Sequence, residues 1–159
     1  MLVTMAFVER ALGFRAEAKQ VHWAVVEGTR QAPILIAHSN AAAPVNLEEA
    51  PALSWYSSRV RHIVETYKPG VATIRTAESI ARGSNKEGAR RRLRIEGVLL
   101  QTIDSCGLKV TSGALAMISG KLGSQAKKYI DSGELRGLDL SKIPALSREA
   151  VLVAVAALP

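Results

Sequence analysis

The sequence has one cysteine, few aromatic residues and no long hydrophobic run. Its only cysteine, Cys106, cannot form a disulfide within the chain, so we expect a reducing, cytoplasmic environment. No apolar run approaches the roughly 18 residues that a membrane span requires. The first ten residues contain no basic leader, so we expect neither a secretory signal nor membrane association.

Aromatic residues make up only 4% of the 159 residues, and none lies within the arginine-rich segment at positions 82–94. Proteins that bind single strands usually interleave aromatic and basic side chains, because the bases stack on aromatic rings. The sequence therefore favours contacts with the backbone of a structured or duplex nucleic acid over base stacking.

Positive charge is present in excess and is concentrated in that segment. Lys and Arg total 21 against 14 Asp and Glu, which gives a formal net charge of +7. Clustering of this kind favours an anionic partner, most commonly nucleic acid, although a solvated helix face has the same pattern. Within the segment only Glu87 opposes six basic residues, which are Arg82, Lys86, Arg90, Arg91, Arg92 and Arg94.

The order of predicted elements indicates a single α/β domain over residues 1–159. Three strands with short connections come first, and they are followed by a helix, a strand, a helix, a strand and further helices. Short connections suit antiparallel pairing, whereas strands that follow helices suit parallel pairing through crossovers. We therefore predict a mixed five-stranded sheet, three strands antiparallel and two parallel, flanked by helices.

Element ends are predicted from turn and capping residues. The third strand is predicted at Pro33–Ala37, and the first helix is predicted to begin near Asn46, a good N-cap residue with Glu49 three places later. The arginine-rich helix is predicted at about 89–106. After a fifth strand the remainder is predicted to be helical, with Ser147 as the N-cap of the apolar closing helix.

Three stretches resemble the RNase H-like fold and, within it, the RuvC-type junction resolvases. ALGFRAEAKQVHWAVV resembles the opening hairpin, whose usual form is an Ile-Leu-Gly-Ile-Asp-Pro-Gly strand and turn with a Gly-Tyr-Gly-Val-like return strand. VATIRTAESIARGSN with ARRRLRIEGVLL resembles the strand, loop and helix that usually hold an Ile-Glu pair. LSREAVLVAVAAL resembles the closing helix, where Asp-Ala-Ala-Asp-Ala-Leu is usual. The resemblance spans about 11–158 and also implies a homodimer.

The resemblance implies a two-metal nuclease site, but two of its carboxylate positions hold arginine. In the family, acidic side chains from the first strand, the fourth strand and the last helix bind two divalent ions that activate water. The corresponding residues here are Arg15, Arg75 and Glu149. A guanidinium group has no lone pair to offer Mg²⁺, and its charge repels cations. We therefore predict an anion site without catalytic residues, bound metal or cofactor.

The favoured function is a nucleic-acid-binding module. Arg15 and Arg75 are predicted to hold phosphates in the former active-site cleft, and the arginine-rich segment is predicted to widen the electrostatic surface. Helical spacing cannot place Arg90, Arg91, Arg92 and Arg94 on one face, so we expect two or three of them to contact phosphates and at least one to be structural. The wider surface comprises Arg82, Arg90, Arg91, Arg92 and Arg94.

Two other functions remain open. In the first, a displaced triad of Glu17, Glu78 and Glu149 binds Mg²⁺ and the protein is an active nuclease, although each glutamate would more simply neutralise a neighbouring arginine. In the second, the cleft arginines form internal salt bridges and the basic helix docks on an acidic protein. The three histidines lack zinc-ligand spacing, and His22 is predicted to be a surface or half-buried side chain.

Overall fold

The computed structural model of the protein describes residues 8–76 and 86–159, and a five-stranded sheet lies at its centre. The strand order is β3-β2-β1-β4-β5; the first three strands pair antiparallel, and β4 and β5 are added in parallel. The predicted mixed sheet is confirmed. The strands are β1 (Arg10–Ala16), β2 (Val21–Gly28), β3 (Pro33–Ala41), β4 (Val71–Arg75) and β5 (Lys109–Gly113).

Helices cover both faces of this sheet, and a short two-stranded hairpin, β6 and β7, lies apart from it. Among the helices of the described ranges, none combines the length and the apolarity that crossing a bilayer requires. The further elements are α1 (Glu49–Tyr67), α2 (Glu87–Ser105), α3 (Leu115–Leu122), α4 (Ala126–Ser132), β6 (Glu134–Leu135), β7 (Leu138–Asp139) and α5 (Ala145–Ala157).

Two hydrophobic clusters pack on opposite faces of the sheet because side chains alternate along each strand. Leu12 and Phe14 of β1 face the cluster that includes α1 and α2, whereas α3, α4 and α5 form the other cluster. Gly13 faces α5, and a β-carbon at this position would lie only 2.3 Å from the main-chain oxygen of Ala150. The backbone of α5 therefore lies directly against β1, so Arg15, two residues on, also faces α5.

Three predicted boundaries are wrong. β3 continues to Ala41 instead of ending at Ala37, because its ladder with β2 extends as far as Val21. α1 begins at Glu49, and its N-cap is Glu48 without a side-chain cap bond, so Asn46 is not the cap. α2 spans Glu87–Ser105 instead of 89–106.

The region between β5 and α5 also differs from the prediction of continuous helical structure. It contains two short helices and the β6–β7 hairpin. α5 begins at Ala145 after Pro144, whose fixed backbone suits a helix start, so Ser147 is not the N-cap. Ser147 lies instead within the first turn of α5, buried against the sheet.

Candidate functional site

Arg15 and Arg75 stand side by side at the carboxyl ends of β1 and β4, where the parallel register pairs them. Both reach Glu149 near the start of α5: Arg15 Nε donates to Glu149 Oε2 at 2.7 Å, and Arg75 Nε lies 3.6 Å from the same oxygen. The three side chains are only 8–12% exposed. The predicted convergence of these residues is confirmed.

Each of the two guanidinium groups is also held by its own strand end. Arg15 Nη1 donates to the carbonyl of Ala16, and Arg75 Nη1 donates to the carbonyl of Thr76. The two side chains are thereby fixed in orientation, while two positive charges share one carboxylate. Among the described residues, the side chains that contact Glu149 here are therefore cationic.

α2 contributes a third arginine to the same place. Arg92 Nε donates to Glu96 Oε1 at 3.0 Å, and Glu96 is almost fully buried. Burial lowers the pKa of Arg92, the neighbouring charges of Arg15 and Arg75 lower it further, and Glu96 raises it. Arg92 Nη2 is a buried nitrogen with no hydrogen-bond partner in the part of the chain that the structure describes.

We call this cluster the arginine cleft; its members are Arg15, Arg75, Arg92, Glu96 and Glu149. These three guanidinium groups and two carboxylates, which are the members drawn from the described residues, carry a formal charge of +1 in a largely buried setting. Charges in such a setting are screened by salt much less than charges on the surface.

A buried histidine lies beside the cleft, so the prediction that His22 is exposed or half-buried is wrong. Its Nε2 lies 2.6 Å from Glu17 Oε2, and its Nδ1 lies 2.9 Å from Ser147 Oγ. An ionised carboxylate can only accept, so Nε2 donates to Glu17 and, in the neutral ring, Nδ1 accepts from the Ser147 hydroxyl. These two hydrogen bonds of His22 link the β1–β2 turn to the start of α5.

The carboxylates of the alternative metal site are already engaged where the structure describes them. Glu17 accepts from His22 and from Gln20 Nε2, and Glu149 is held by the cleft arginines. Glu78 lies outside the described residues. Within 8–76 and 86–159, no group of three His, Cys, Asp or Glu side chains is placed to bind a metal ion. The described donor set does not fit the divalent ions of a nuclease site.

The other described arginines of the arginine-rich segment lie on the exposed surface of α2. Arg91 Nε lies 3.6 Å from Glu87 Oε1, and Arg94 Nη1 donates to Glu49 Oε1 at 2.6 Å. Arg90 is exposed, and Arg82 lies outside the described residues. Of the described arginines of this helix, Arg92 is the one whose partner is a buried carboxylate, Glu96.

Sequence reasoning missed three residues of this region. Glu96 follows Arg92 by four positions, a spacing that brings side chains together on a helix, so this pair could have been found. No sequence signal connects His22 with Ser147, because 125 positions separate them and only the packing of α5 on β2 joins them.

No protein-family model and no curated protein sequence matches this chain. Solved structures do match it. RuvC of Thermus thermophilus has a TM-score of 0.75 at 15% identity, covering 92% of each chain. The same protein in complex with a Holliday junction substrate has a TM-score of 0.73 at 14% identity, covering 93% of this chain and 91% of that one.

The yeast mitochondrial Holliday junction resolvase Ydc2 has a TM-score of 0.67 at 12% identity, covering 93% of this chain and 77% of that one. These similarities extend over nearly the whole described chain. The chain therefore has the RNase H-like fold in its RuvC-like form, as the sequence resemblance predicts.

Proposed function

We propose that this chain is a catalytically degenerate RuvC-like domain that binds the phosphates of structured or duplex nucleic acid. The observation that carries the proposal is the convergence of Arg15, Arg75 and Arg92 at one edge of the sheet, in a largely buried setting. Guanidinium groups bind phosphate oxygens through two parallel hydrogen bonds, so the cleft offers the chemistry that a phosphate requires. The RuvC structure solved with a Holliday junction substrate supports a nucleic-acid partner.

An entering phosphate would bind beside Arg92. Arg92 Nη2 is a buried donor without a partner among the described residues, and Glu149 supplies one carboxylate to two guanidinium groups. An entering phosphate would give Arg92 an acceptor and would balance the net positive charge. This gain does not depend on the identity of the base, so we expect little sequence preference.

The exposed arginines of α2 would extend this surface more weakly. Arg91 and Arg94 are each about half exposed and are already close to Glu87 or Glu49. They would attract a polyanion at long range and release counterions where they meet a phosphate. The homodimer and the cytoplasmic location remain predictions.

The test is salt-dependent binding of labelled junction, duplex and RNA substrates. We expect the wild type to bind at low ionic strength and to weaken steeply between about 50 and 200 mM salt. Arg75→Ala should weaken binding about tenfold, which corresponds to about 1.4 kcal/mol for one lost charged contact. Lys128→Ala, an exposed change on α4, is the matched control and should leave binding unchanged.

The same substrates incubated with Mg²⁺ or Mn²⁺ separate this proposal from the nuclease alternative. We expect them to stay intact, because the described site presents arginines where metal ligands are needed. Cleavage that disappears in Glu149→Ala would establish the nuclease. No binding to any nucleic acid at low salt would leave the basic helix as a solvated or protein-docking face.

A further inference from the structure

A groove of about 450 Å³ lies next to the arginine cleft. Its walls come from the β1–β2 turn at 18–20, the β3–α1 connection at 42–47, and the facing sides of α1 and α2. Sites for small molecules have volumes of roughly 300–1,000 Å³, so the groove is large enough to enclose a compact organic group.

α2 contributes to the groove and to the cleft along the same two turns. Arg91 and Ile95 line the groove, whereas Arg92 and Glu96 belong to the cleft. Residues four apart share a helix face, so these two pairs form adjacent stripes. The β1–β2 turn also contributes to both sites. Glu17 bonds His22 beside the cleft, and the next three residues line the groove. The two sites therefore adjoin.

The groove combines apolar walls with a cationic rim. Ala42, Pro44 and Leu53 lie in the walls, and Tyr56 is held in place because its hydroxyl accepts the main-chain N–H of Ala43 at 3.3 Å. Lys19 and Arg91 supply positive charge at the rim, while Glu49, the one acid among the described lining residues, is engaged by Arg94. A ligand that is apolar at its core and negatively charged at one end suits this lining.

Gln20 adds a polar group of fixed orientation. Its Nε2 donates to Glu17 Oε2 at 2.7 Å, and its Oε1 accepts from Asn40 Nδ2 at 2.8 Å. A side-chain amide has two donor hydrogens and two acceptor lone pairs, so one of each remains for a ligand. A neighbouring donor and acceptor complement the edge of a nucleobase, as in glutamine contacts with adenine.

We propose that the groove binds one unpaired nucleobase of a structured nucleic acid whose backbone crosses the arginine cleft. This inference rests on the proposed function and adds a structure preference to it. The apolar walls bury the face of the base, Gln20 bonds its edge, and Lys19 and Arg91 neutralise the adjoining phosphate. Bases inside a continuous duplex are stacked and paired, so the groove selects bulges, flaps or junction ends.

The chain offers a matched pair of alanines for the test. Ala42 and Ala32 are both exposed and flank β3 at its two ends, but only Ala42 lines the groove. Ala42→Trp fills the groove without changing charge, and Ala32→Trp adds the same side chain elsewhere. The probes are a duplex and the same duplex carrying one unpaired 2-aminopurine, each titrated with the full chain.

We expect the wild type and Ala32→Trp to bind the bulged probe about five- to tenfold more tightly than the duplex and to change its 2-aminopurine fluorescence. Ala42→Trp should bind the duplex as the wild type does, with no preference for the bulge. Gln20→Leu keeps the side-chain size and removes its hydrogen bonds, so it should lose part of the preference. Thermal melting of each variant confirms that it is folded.

Two outcomes overturn the groove proposal alone: equal binding of both probes by the wild type, or an intact preference in both folded Ala42→Trp and folded Gln20→Leu. In either case salt-dependent duplex binding would still support the proposed function. Absence of binding to both probes at low salt would overturn the proposed function and the groove proposal together.

Discussion

Two groups of partly buried arginines in this protein use their hydrogen-bond donors in different ways. The guanidinium groups of the arginine cleft are paired with carboxylates, in addition to the carbonyls of Ala16 and Thr76 that Arg15 and Arg75 bond at their own strand ends. Arg136 and Arg148, which we call the structural arginines, instead donate to main-chain carbonyls near α3–α5. The acceptors of Arg148 are Ile143, Ile130 and Ser141, and those of Arg136 are Arg30 and Leu122.

The type of acceptor distinguishes arginines that could bind an anion from arginines that only hold the fold together. A carbonyl that fixes a loop cannot be replaced by a dissolved anion without releasing that loop. A carboxylate and a phosphate present similar charged oxygens to a guanidinium group, so one can substitute for the other. The residue type alone therefore does not identify an anion site, whereas the charge of its present partners does.

The largest expected effect comes from reversing the charge of the cleft with Arg15→Asp and Arg75→Glu together. Three carboxylates would then meet at this strand edge, and the cleft arginine that is left, Arg92, is already paired with Glu96. Unpaired buried charges of this kind cost about 3–5 kcal/mol of folding stability. A divalent ion at a hundredfold excess over its dissociation constant would restore about 2.7 kcal/mol, as measured by denaturation with and without Mg²⁺ or Mn²⁺.

The matched control for this reversal is Arg15→Gln with Arg75→Gln, which removes the same charges without adding ligands. We expect it to be destabilised and to show no response to metal. If the Asp–Glu variant also shows no response, the two arginines are not what keeps a metal from this site.

The next effect concerns the structural arginines. Arg148→Ala removes the donor to three carbonyls, and leaving such acceptors unsatisfied costs about 2 kcal/mol of folding stability. Chemical denaturation measures this loss, and Lys142→Ala, an exposed neighbour, serves as the control. Nucleic-acid affinity of the folded fraction should stay unchanged; a loss as large as that of Arg75→Ala would erase the distinction between the two groups.

A smaller effect is expected when the carboxylate shared by Arg15 and Arg75 is neutralised. Glu149→Gln keeps the shape of the side chain and removes a charge that competes with phosphate. We expect affinity for duplex to rise about fivefold, which is about 1 kcal/mol, while Glu65→Gln on the exposed side of α1 has no effect. Weaker binding by Glu149→Gln would mean that Glu149 chiefly positions the arginines.

The smallest effect is expected at the surface of α2. Arg91→Ala with Arg94→Ala removes two exposed charges that are near Glu87 or Glu49. Stability should change by less than about 0.5 kcal/mol. The slope of log affinity against log salt should flatten by at most about two units, measured by titration at several salt concentrations. A loss of affinity larger than the roughly tenfold loss expected for Arg75→Ala would move the main binding surface from the cleft to this helix.

The sheet could be predicted from local patterns, and the central pair of the cleft from the resemblance to the RuvC-type fold. Strand periodicity places Arg15 and Arg75 at the ends of two strands, and the resemblance implies that these strand ends lie together, as the parallel register of β1 and β4 has them. The resemblance likewise implies that Glu149 of the closing helix reaches the same edge, and the packing of apolar α5 on the sheet holds it there.

The rest of the site depends on contacts that local patterns do not encode. Alternation along β2 does not tell which face is covered, so the burial of His22 follows only from the packing of α5. Serine is a residue type that is common at N-caps, but the N-cap of α5 is Pro144, and Ser147 bonds His22 instead. The groove is formed by three connections distant in sequence, so no single stretch indicates it.

The central claim is that the cleft arginines, and not the structural arginines, meet the phosphates of nucleic acid. The most direct measurement follows the Nε–H signals of ¹⁵N-labelled arginine by NMR during titration with a short duplex. We predict that the signals of Arg15, Arg75 and Arg92 move in a salt-dependent way, while those of Arg136 and Arg148 stay in place. Unmoved cleft signals at saturating duplex, or equal movement in both groups, would contradict the claim.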